Sequence, residues 1–255
     1  MKEKIDLYTL VYNEMDILPF CIDYWKRFAN HVYIWDNGSD DGSVEYLTQF
    51  PFITVQHFES EGLDDAIQVQ LKNTVWKESR GQADWVVVCD CDELLWGNHL
   101  EEELLYMRLN GYTAMGNRWY SFFGDQKPEY EEGKLLHELV KTGAPQSINY
   151  DDASIGKIML FNPNVIEDMH YEVGCHRCHP EGQYKMYKSP KTYVFHIDKG
   201  LGIDYKLDAF KKRAARLSER NKMFGWGIHY NFPEEQLRKA YNEGIANSID
   251  LTTLK

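Results

Sequence analysis

The chain has 255 residues, of which 43% are hydrophobic and 27% charged, enough to bury one substantial core within a single domain. Forty acidic residues against 28 basic ones give a formal charge of −12, which argues against a nucleic-acid-binding face because a polyanion is repelled on average. No apolar run approaches the ~18 residues a bilayer span needs, and Met1-Lys2-Glu3-Lys4 leads into a strand without a secretory signal, so a cytoplasmic chain with five reduced cysteines is expected.

In chain order, Ile5–Tyr12 reads as a strand that runs into Asn13-Glu14, after which Ile17, Leu18, Cys21, Ile22 and Trp25 recur at helical spacing. Val32–Trp35 reads as a second strand, ending in the acid, Asn and Gly turn Asp36-Asn37-Gly38-Ser39-Asp40-Asp41-Gly42-Ser43. A third apolar run, Trp85–Cys89, delivers three carboxylates within four residues at Asp90-Cys91-Asp92-Glu93. If the extended conformation continues, Asp90 and Asp92 point one way and Cys91 points back into the protein. Two aligned carboxylates can hold a divalent cation, which in turn can neutralise a diphosphate. Alone, the motif would suit a strand end with a solvated acidic turn; its recurrence after the second strand favours the functional reading. The pattern β, α, β, turn, α, β implies a mostly parallel sheet, which binds ligands outside the carboxyl ends of its strands.

The second half is less regular. Arg118–Asp125 is an aromatic run too dense to be wholly buried, suited to stacking on a sugar ring, and Glu131–Asp152 reads as an extended excursion. Cys175-His176-Arg177-Cys178-His179 matches c-type haem attachment and half of a zinc site, to which His170 could add a ligand, but the export signal and the second Cys-x-x-Cys are missing. Alternation instead suggests a strand over 170–176 whose His170, Glu172, Gly174 and His176 line a site. Lys191–Asp198 reads as a strand ending in His196. From Asp204, a helical stripe of Tyr205, Leu207, Phe210, Ala214 and Leu217 is surrounded by Lys206, Lys211, Lys212, Arg213, Arg216 and Arg220. That basic surface suits a solvated helix, a membrane contact over 206–222, or capture of phosphates. Gly225-Trp226-Gly227 breaks the helix, leaving aromatics for a lid or for packing, and Pro233 opens the last one.

Taken together, these motifs resemble the family 2 glycosyltransferases, whose nucleotide-sugar-binding domain is called GT-A. Tyr12-Asn13-Glu14 looks like the family's first-strand motif, Asp36–Gly42 like its Asp-rich second turn, and Asn73 followed by Asp90-Cys91-Asp92 like its Asn-containing helix and Asp-x-Asp. The resemblance covers residues 5–96 and fades beyond 100. It implies an α/β, GT-A (Rossmann-like), mostly parallel sheet flanked by helices, with a nucleotide-sugar half (1–100), an acceptor half (101–200) and a C-terminal helical extension (201–255). It also implies donor contacts from Tyr12, Asn13, Glu14 and Asn73, a base contact from Asp36, and ribose or metal-bound water at Asp90. Mn²⁺ or Mg²⁺ is expected on Asp92 and Asp90 with His196 as the late ligand, though His176 or His179 could substitute.

The implied reaction is inverting transfer from a nucleoside diphosphate sugar to a saccharide or lipid-linked saccharide in cell-surface polysaccharide synthesis, at or near the inner membrane face. Glu172 and Asp168 lead as catalytic base, with Asp125 behind them. Glu167-Asp168 matches the family's Glu-Asp pair in letters. Two alternatives are weighed. A sugar nucleotidyltransferase would carry a Gly-rich basic loop where Tyr12–Asp16 has neither glycine nor a basic residue, and a saccharide-binding protein would explain 14% aromatics but not paired acids at strand ends.

Overall fold

The computed structural model describes residues 2–146, 157–198 and 200–254. In the N-terminal half, β1 (Ile5–Val11), β2 (His31–Asp36), β3 (Ile53–His57) and β4 (Trp85–Val88) run parallel in the order β4-β1-β2-β3. Trp85, Val86, Val87 and Val88 are all buried, the continuous apolar run expected of a parallel strand covered on both faces. The connecting helices are α1 (Leu18–Phe28), α2 (Ser43–Leu47) and α3 (Asp65–Thr74). Helix α1 has Pro19 in its first turn, buries Cys21, Ile22 and Trp25, and closes with Lys26 and Arg27 where the helix dipole favours cations. Helix α3 is capped by Asp64, whose side chain accepts from the amides of Ala66 and Ile67.

Among the described residues, the second half completes a mixed sheet of ten strands. β5 (Glu93–Trp96) follows the turn after β4; α4 (Leu100–Leu109), β6 (Ala114–Phe122), α5 (Leu136–Leu139), β7 (Thr142–Gln146) and β8 (Leu160–Phe161) come next. β9 (Ile166–Asp168) and β10 (Glu181–Gly182) form a separate pair, while β11 (Met186–His196) lies antiparallel to β5 and parallel to β6. β8 bridges β4 and β6 in antiparallel register. Those two antiparallel steps make β6 and β11 run in the same direction as β4, so His196 ends at the edge where β1, β2 and β4 end.

Three sequence expectations change here. The aromatic run lies in β6, where Trp119, Tyr120 and Phe122 are buried, so it builds the sheet rather than a sugar platform. The excursion contains α5 and β7, and its last stretch, 147–152, lies outside the described residues. Residues 170–176 form a loop rather than a strand: His170, Gly174 and Cys175 have φ of 46°, 79° and 55°, and Val173 is exposed while Tyr171 and Cys175 are buried. Left-handed backbone cannot sustain strand alternation.

The C-terminal extension comprises α6 (Ile203–Ala215), α7 (Glu219–Phe224), α8 (Glu234–Ala246) and the edge strand β12 (Ile249–Asp250), which pairs with β7. The Leu63 amide donates to the Arg216 carbonyl at 2.7 Å and the Ser218 amide to the Leu63 carbonyl at 3.0 Å, fastening the α6–α7 junction to the loop before α3. Gly62 makes that approach possible: its φ is +65°, and a Cβ there would fall 2.1 Å from the Arg216 carbonyl oxygen. Helix α6 therefore lies beside the carboxyl edge of the sheet. Among the described residues, no helix is long and apolar enough to cross a membrane.

Candidate functional site

The turn after β4 departs from the extended form expected of it. The Glu93 amide donates to the Asp90 carbonyl at 3.1 Å, and the Asp90 amide donates to Glu93 Oε2 at 2.7 Å, a reciprocal closure just beyond the end of β4 at Val88. Asp90 and Asp92 consequently face different partners. Asp90 Oδ1 accepts from Lys72 and Oδ2 from Lys157 at 2.9 Å, while Lys157 Nζ also lies 2.8 and 3.0 Å from the two Glu93 oxygens. Lys157 and Lys72 are buried, and a buried ammonium is tolerable only beside counter-charges. Burial acts to raise the Asp90 carboxyl, but Lys157 and Lys72 hold it well below the usual range. Burial pushes Glu93 up despite Lys157. Neither lysine was signalled by the sequence, since a lone Lys in a helix or loop reads as solvated surface.

Asp92, 6% exposed, faces the other way. Its Oδ1 is 3.7 Å from His196 Nε2 and its Oδ2 is 3.9 Å from an Arg213 guanidinium nitrogen; its backbone carbonyl accepts from the Ile197 amide at 2.9 Å. His196 ends β11 opposite Glu93, with Trp119 edge-on at 5.7 Å and a buried Nδ1 that has no hydrogen-bond partner among the described residues. Arg213 also reaches Glu14 Oε1 at 3.4 Å. Burial works against its charge, and Tyr230, Glu14, Asp92 and Asp198 more than offset that, raising its pKa. Asp198 pairs with Lys206 at 3.0 Å; burial raises its carboxyl, but Lys206 and then His196 bring it below the ordinary value. Asp198 and Arg213 were not assigned from sequence, although His196-Ile197-Asp198 and the basic helix had drawn attention.

Loops after β1 and β2 form the neighbouring wall. Asn13, at φ 50°, donates to Asp40 Oδ1 at 2.7 Å and accepts from the Asp40 amide at 2.9 Å. The Glu14 amide donates to Ser43 Oγ at 3.2 Å. Asp36 accepts from the amides of Gly38 at 2.9 Å and Ser39 at 3.1 Å, so it shapes the turn that it begins. The Tyr12 ring lies 3.0 Å from the Arg216 guanidinium carbon, and Arg216 donates to Asn37 Oδ1 at 2.8 Å.

Other sequence-selected residues have separate engagements. Asn73 binds both the amide and the carbonyl of Tyr171, at 2.7 and 3.1 Å, tethering the 170–179 loop to α3. Glu172 contacts His179 at 2.8 Å. Asp168 is paired with Lys77 and accepts from the His170 amide at 3.1 Å; burial raises its carboxyl, which Lys77 brings below the ordinary value. Asp125 is exposed. Burial pushes the Cys178 thiol up to about 12 and raises Cys175. Among the described residues, no three His, Cys, Asp or Glu side chains are grouped to hold a metal unaided.

S. aureus TarS is 12% identical over 86% of this chain and 41% of its own, with a TM-score of 0.46; TarS 1–349 in complex with UDP is 10% identical over 86% and 68%, with a TM-score of 0.47. The chain thus spans less than half the length of the longer TarS structure. No curated protein matches. The model for Glycosyl transferase family 2 matches residues 7–163, which run from within β1 through β8 and include the turns carrying Asn13, Asp36, Asp90 and Asp92, although not His196 or α6. With more than half of its length matched, the chain belongs to glycosyl transferase family 2.

Proposed function

We propose that the chain transfers a sugar, with inversion, from a nucleoside diphosphate donor to a hydroxyl of a saccharide or lipid-linked saccharide, aided by Mn²⁺ or Mg²⁺, as in the building of surface polysaccharides. The observation that carries this reading is the convergence at one sheet edge of Asn13-Glu14, Asp36 and Asp92 with His196 and Arg213. Such an edge is where open α/β sheets receive ligands. Tyr12 and the loop shaped by Asp36 suit the nucleobase, with Asp36 keeping lone pairs to accept from it. Asp92 Oδ1 and His196 Nε2 stand 3.7 Å apart, beyond a hydrogen bond and compatible with two ligands on one ion at ~2.1 Å each. They would hold the cation, with donor oxygens completing its shell. When bound, the ion supplies charge neutralisation to the departing diphosphate.

Arg213 offers a second positive charge from the opposite wall. Lys72 and Lys157 are committed to Asp90 and Glu93, so they stabilise the turn that presents Asp92. For the acceptor proton we assign Glu172, on the loop that Asn73 tethers next to Lys72; Asp168 ranks behind it because Lys77 and the His170 amide occupy its carboxylate.

The test is a thermal-shift panel of nucleoside diphosphate sugars in Mn²⁺, followed by turnover with and without EDTA for the wild type and Asp92→Asn. One donor class should raise the melting temperature, and its turnover should vanish in EDTA and in the variant. Preference for a nucleoside triphosphate with a sugar 1-phosphate, or sugar binding without turnover, would replace this reading with one of its rivals.

A further inference from the structure

Met223, Phe224, Ile228 and Phe232 are 74%, 59%, 62% and 39% exposed, four large apolar side chains within ten residues at the end of α7 and in the segment after it. Trp226 lies between them, its ring stacked on Phe224 at 5.0 Å. Gly225 and Gly227, at φ of +71° and +72°, fold the chain around Trp226. The inner side is anchored: Tyr230 packs edge-on against Phe210 at 5.2 Å and carries the Arg213 guanidinium 5.7 Å above its ring. The outward apolar cluster therefore hangs from the wall of the donor site. Concentrated apolar exposure of this kind marks a contact surface.

Charge selects the occupant. Between Glu219 and Glu234 the chain carries no Asp or Glu, although it has 40 of them, and Arg220 and Lys222 sit in that interval, half-exposed at the surface although paired with Asp64 at 3.5 Å and Glu219 at 2.7 Å. Elsewhere the excess of acid repels an anionic bilayer. The inward cations of α6 and its C-cap are engaged at the donor site, Lys206 with Asp198, Arg213 with Glu14 and Arg216 with Asn37. The membrane contact expected over 206–222 therefore moves toward the chain's C-terminus. We infer that Arg220–Phe232 is a docking tip that inserts Met223, Phe224 and Ile228 into the interfacial zone of an anionic lipid bilayer, with Arg220 and Lys222 at the headgroups and Trp226 at the boundary. This placement rests on the proposed function only for its purpose, bringing the cleft to a lipid-linked acceptor.

The experiment uses the full chain with vesicles of phosphatidylcholine alone and of equal parts phosphatidylcholine and phosphatidylglycerol. The wild type should sediment with the mixed vesicles at roughly 0.1 mM lipid, the strength of a single weak anchor, and far less with the neutral ones. Its tryptophan emission should shift to the blue, and this shift should be lost in Trp226→Phe. The double variant Phe224→Asp/Ile228→Asp changes exposed positions only, and should lose at least ~10-fold in vesicle binding with turnover of soluble donor unchanged. Wild-type protein that stays in the supernatant, or a double variant that sediments equally well, overturns the inference. So does a wild-type dimer that the double variant dissociates without any vesicle binding, since the patch then belongs to a second copy. Loss of vesicle binding in the variant, with no donor turned over by either protein, leaves the docking tip standing and removes the donor reading alone.

Discussion

Replacing Lys157 with Met keeps a long apolar stem and deletes the ammonium between Asp90 and Glu93. The Lys157 and Glu93 side chains are 0% and 1% exposed, so water cannot take over the lost interaction. Asp90 retains Lys72, whereas among the described residues Glu93 retains only the Asp90 amide as a hydrogen-bond partner. Breaking a buried pair by removing one partner costs roughly 3–5 kcal/mol. At about 2–4 °C per kcal/mol for a domain near this size, the melting temperature should fall by roughly 6–20 °C at neutral pH. The pH dependence gives a second handle. Burial already pushes Glu93 up, and without Lys157 it rises further; a carboxyl with a raised folded pKa costs stability above that pKa and ceases to do so as pH falls toward its unfolded value. Asp90 has the opposite sign: its depressed pKa stabilises the fold above the unfolded value, and that contribution fades as pH drops through the folded one. Scanning calorimetry from neutral to mildly acid pH should therefore show the variant approaching the wild type on acidification. Lys157→Met/Glu93→Gln should recover part of the loss at neutral pH. A single variant that melts with the wild type, or lags by a pH-independent margin, refutes the buried-charge account of this turn.

Asp36→Ala removes the acceptor for the Gly38 and Ser39 amides, so it should lower stability by ~1–2 kcal/mol as well as weaken nucleoside binding, read by denaturant titration and calorimetric binding together. Glu172→Gln should leave donor affinity intact and cut transfer by ~10²–10⁴-fold in single-turnover assays, whereas Asp168→Asn, which loses its pairing with Lys77, should mainly destabilise. The reverse outcome moves the base to Asp168. His196→Ala should weaken Mn²⁺ binding in a titration, with activity partly recovered at high metal.

The parts legible in the sequence were those in which one local pattern had one physical meaning. β1, β2 and β4 are apolar runs because both faces of a parallel sheet are covered, and their polar ends fall at the ligand-binding edge by topology alone. The failures share a cause. Asp90 and Asp92 were expected on one face because a strand alternates, but Glu93 competes for the Asp90 amide and closes a turn; an acid three residues after Asp90 was the available clue. The 170–176 segment alternates in polarity, yet its left-handed residues break the strand. Trp119 and Phe122 looked too crowded to bury because their neighbours come from β7 and β11, distant in sequence. Helix α6 was recognised from its period, but cations surround its stripe, and only its position beside the sheet edge decides that Lys206, Arg213 and Arg216 face the site.

That inward face leads to a prediction with two opposite signs. Among the described residues, Arg213 is the Lys or Arg paired with Asp92, and it is compensated in the ligand-free chain by Tyr230, Glu14, Asp92 and Asp198. A nucleoside diphosphate entering this acidic edge needs positive charge, and a charge-assisted hydrogen bond contributes roughly 1.5–3 kcal/mol. Arg213→Met should therefore weaken metal-free binding of a nucleoside diphosphate by roughly 10- to 150-fold, since about 1.4 kcal/mol corresponds to a factor of ten. Binding of the matching nucleoside, which has no phosphate, should hardly change. Affinity for Mn²⁺ alone should rise, because the substitution removes a like charge 3.9 Å from Asp92. Arg213→Lys should fall between, keeping the charge but losing the planar fork. Calorimetry with nucleoside, nucleoside diphosphate and Mn²⁺ separates the readings: equal losses for the first two, with metal affinity also reduced, would mean that Arg213 only holds α6 in place.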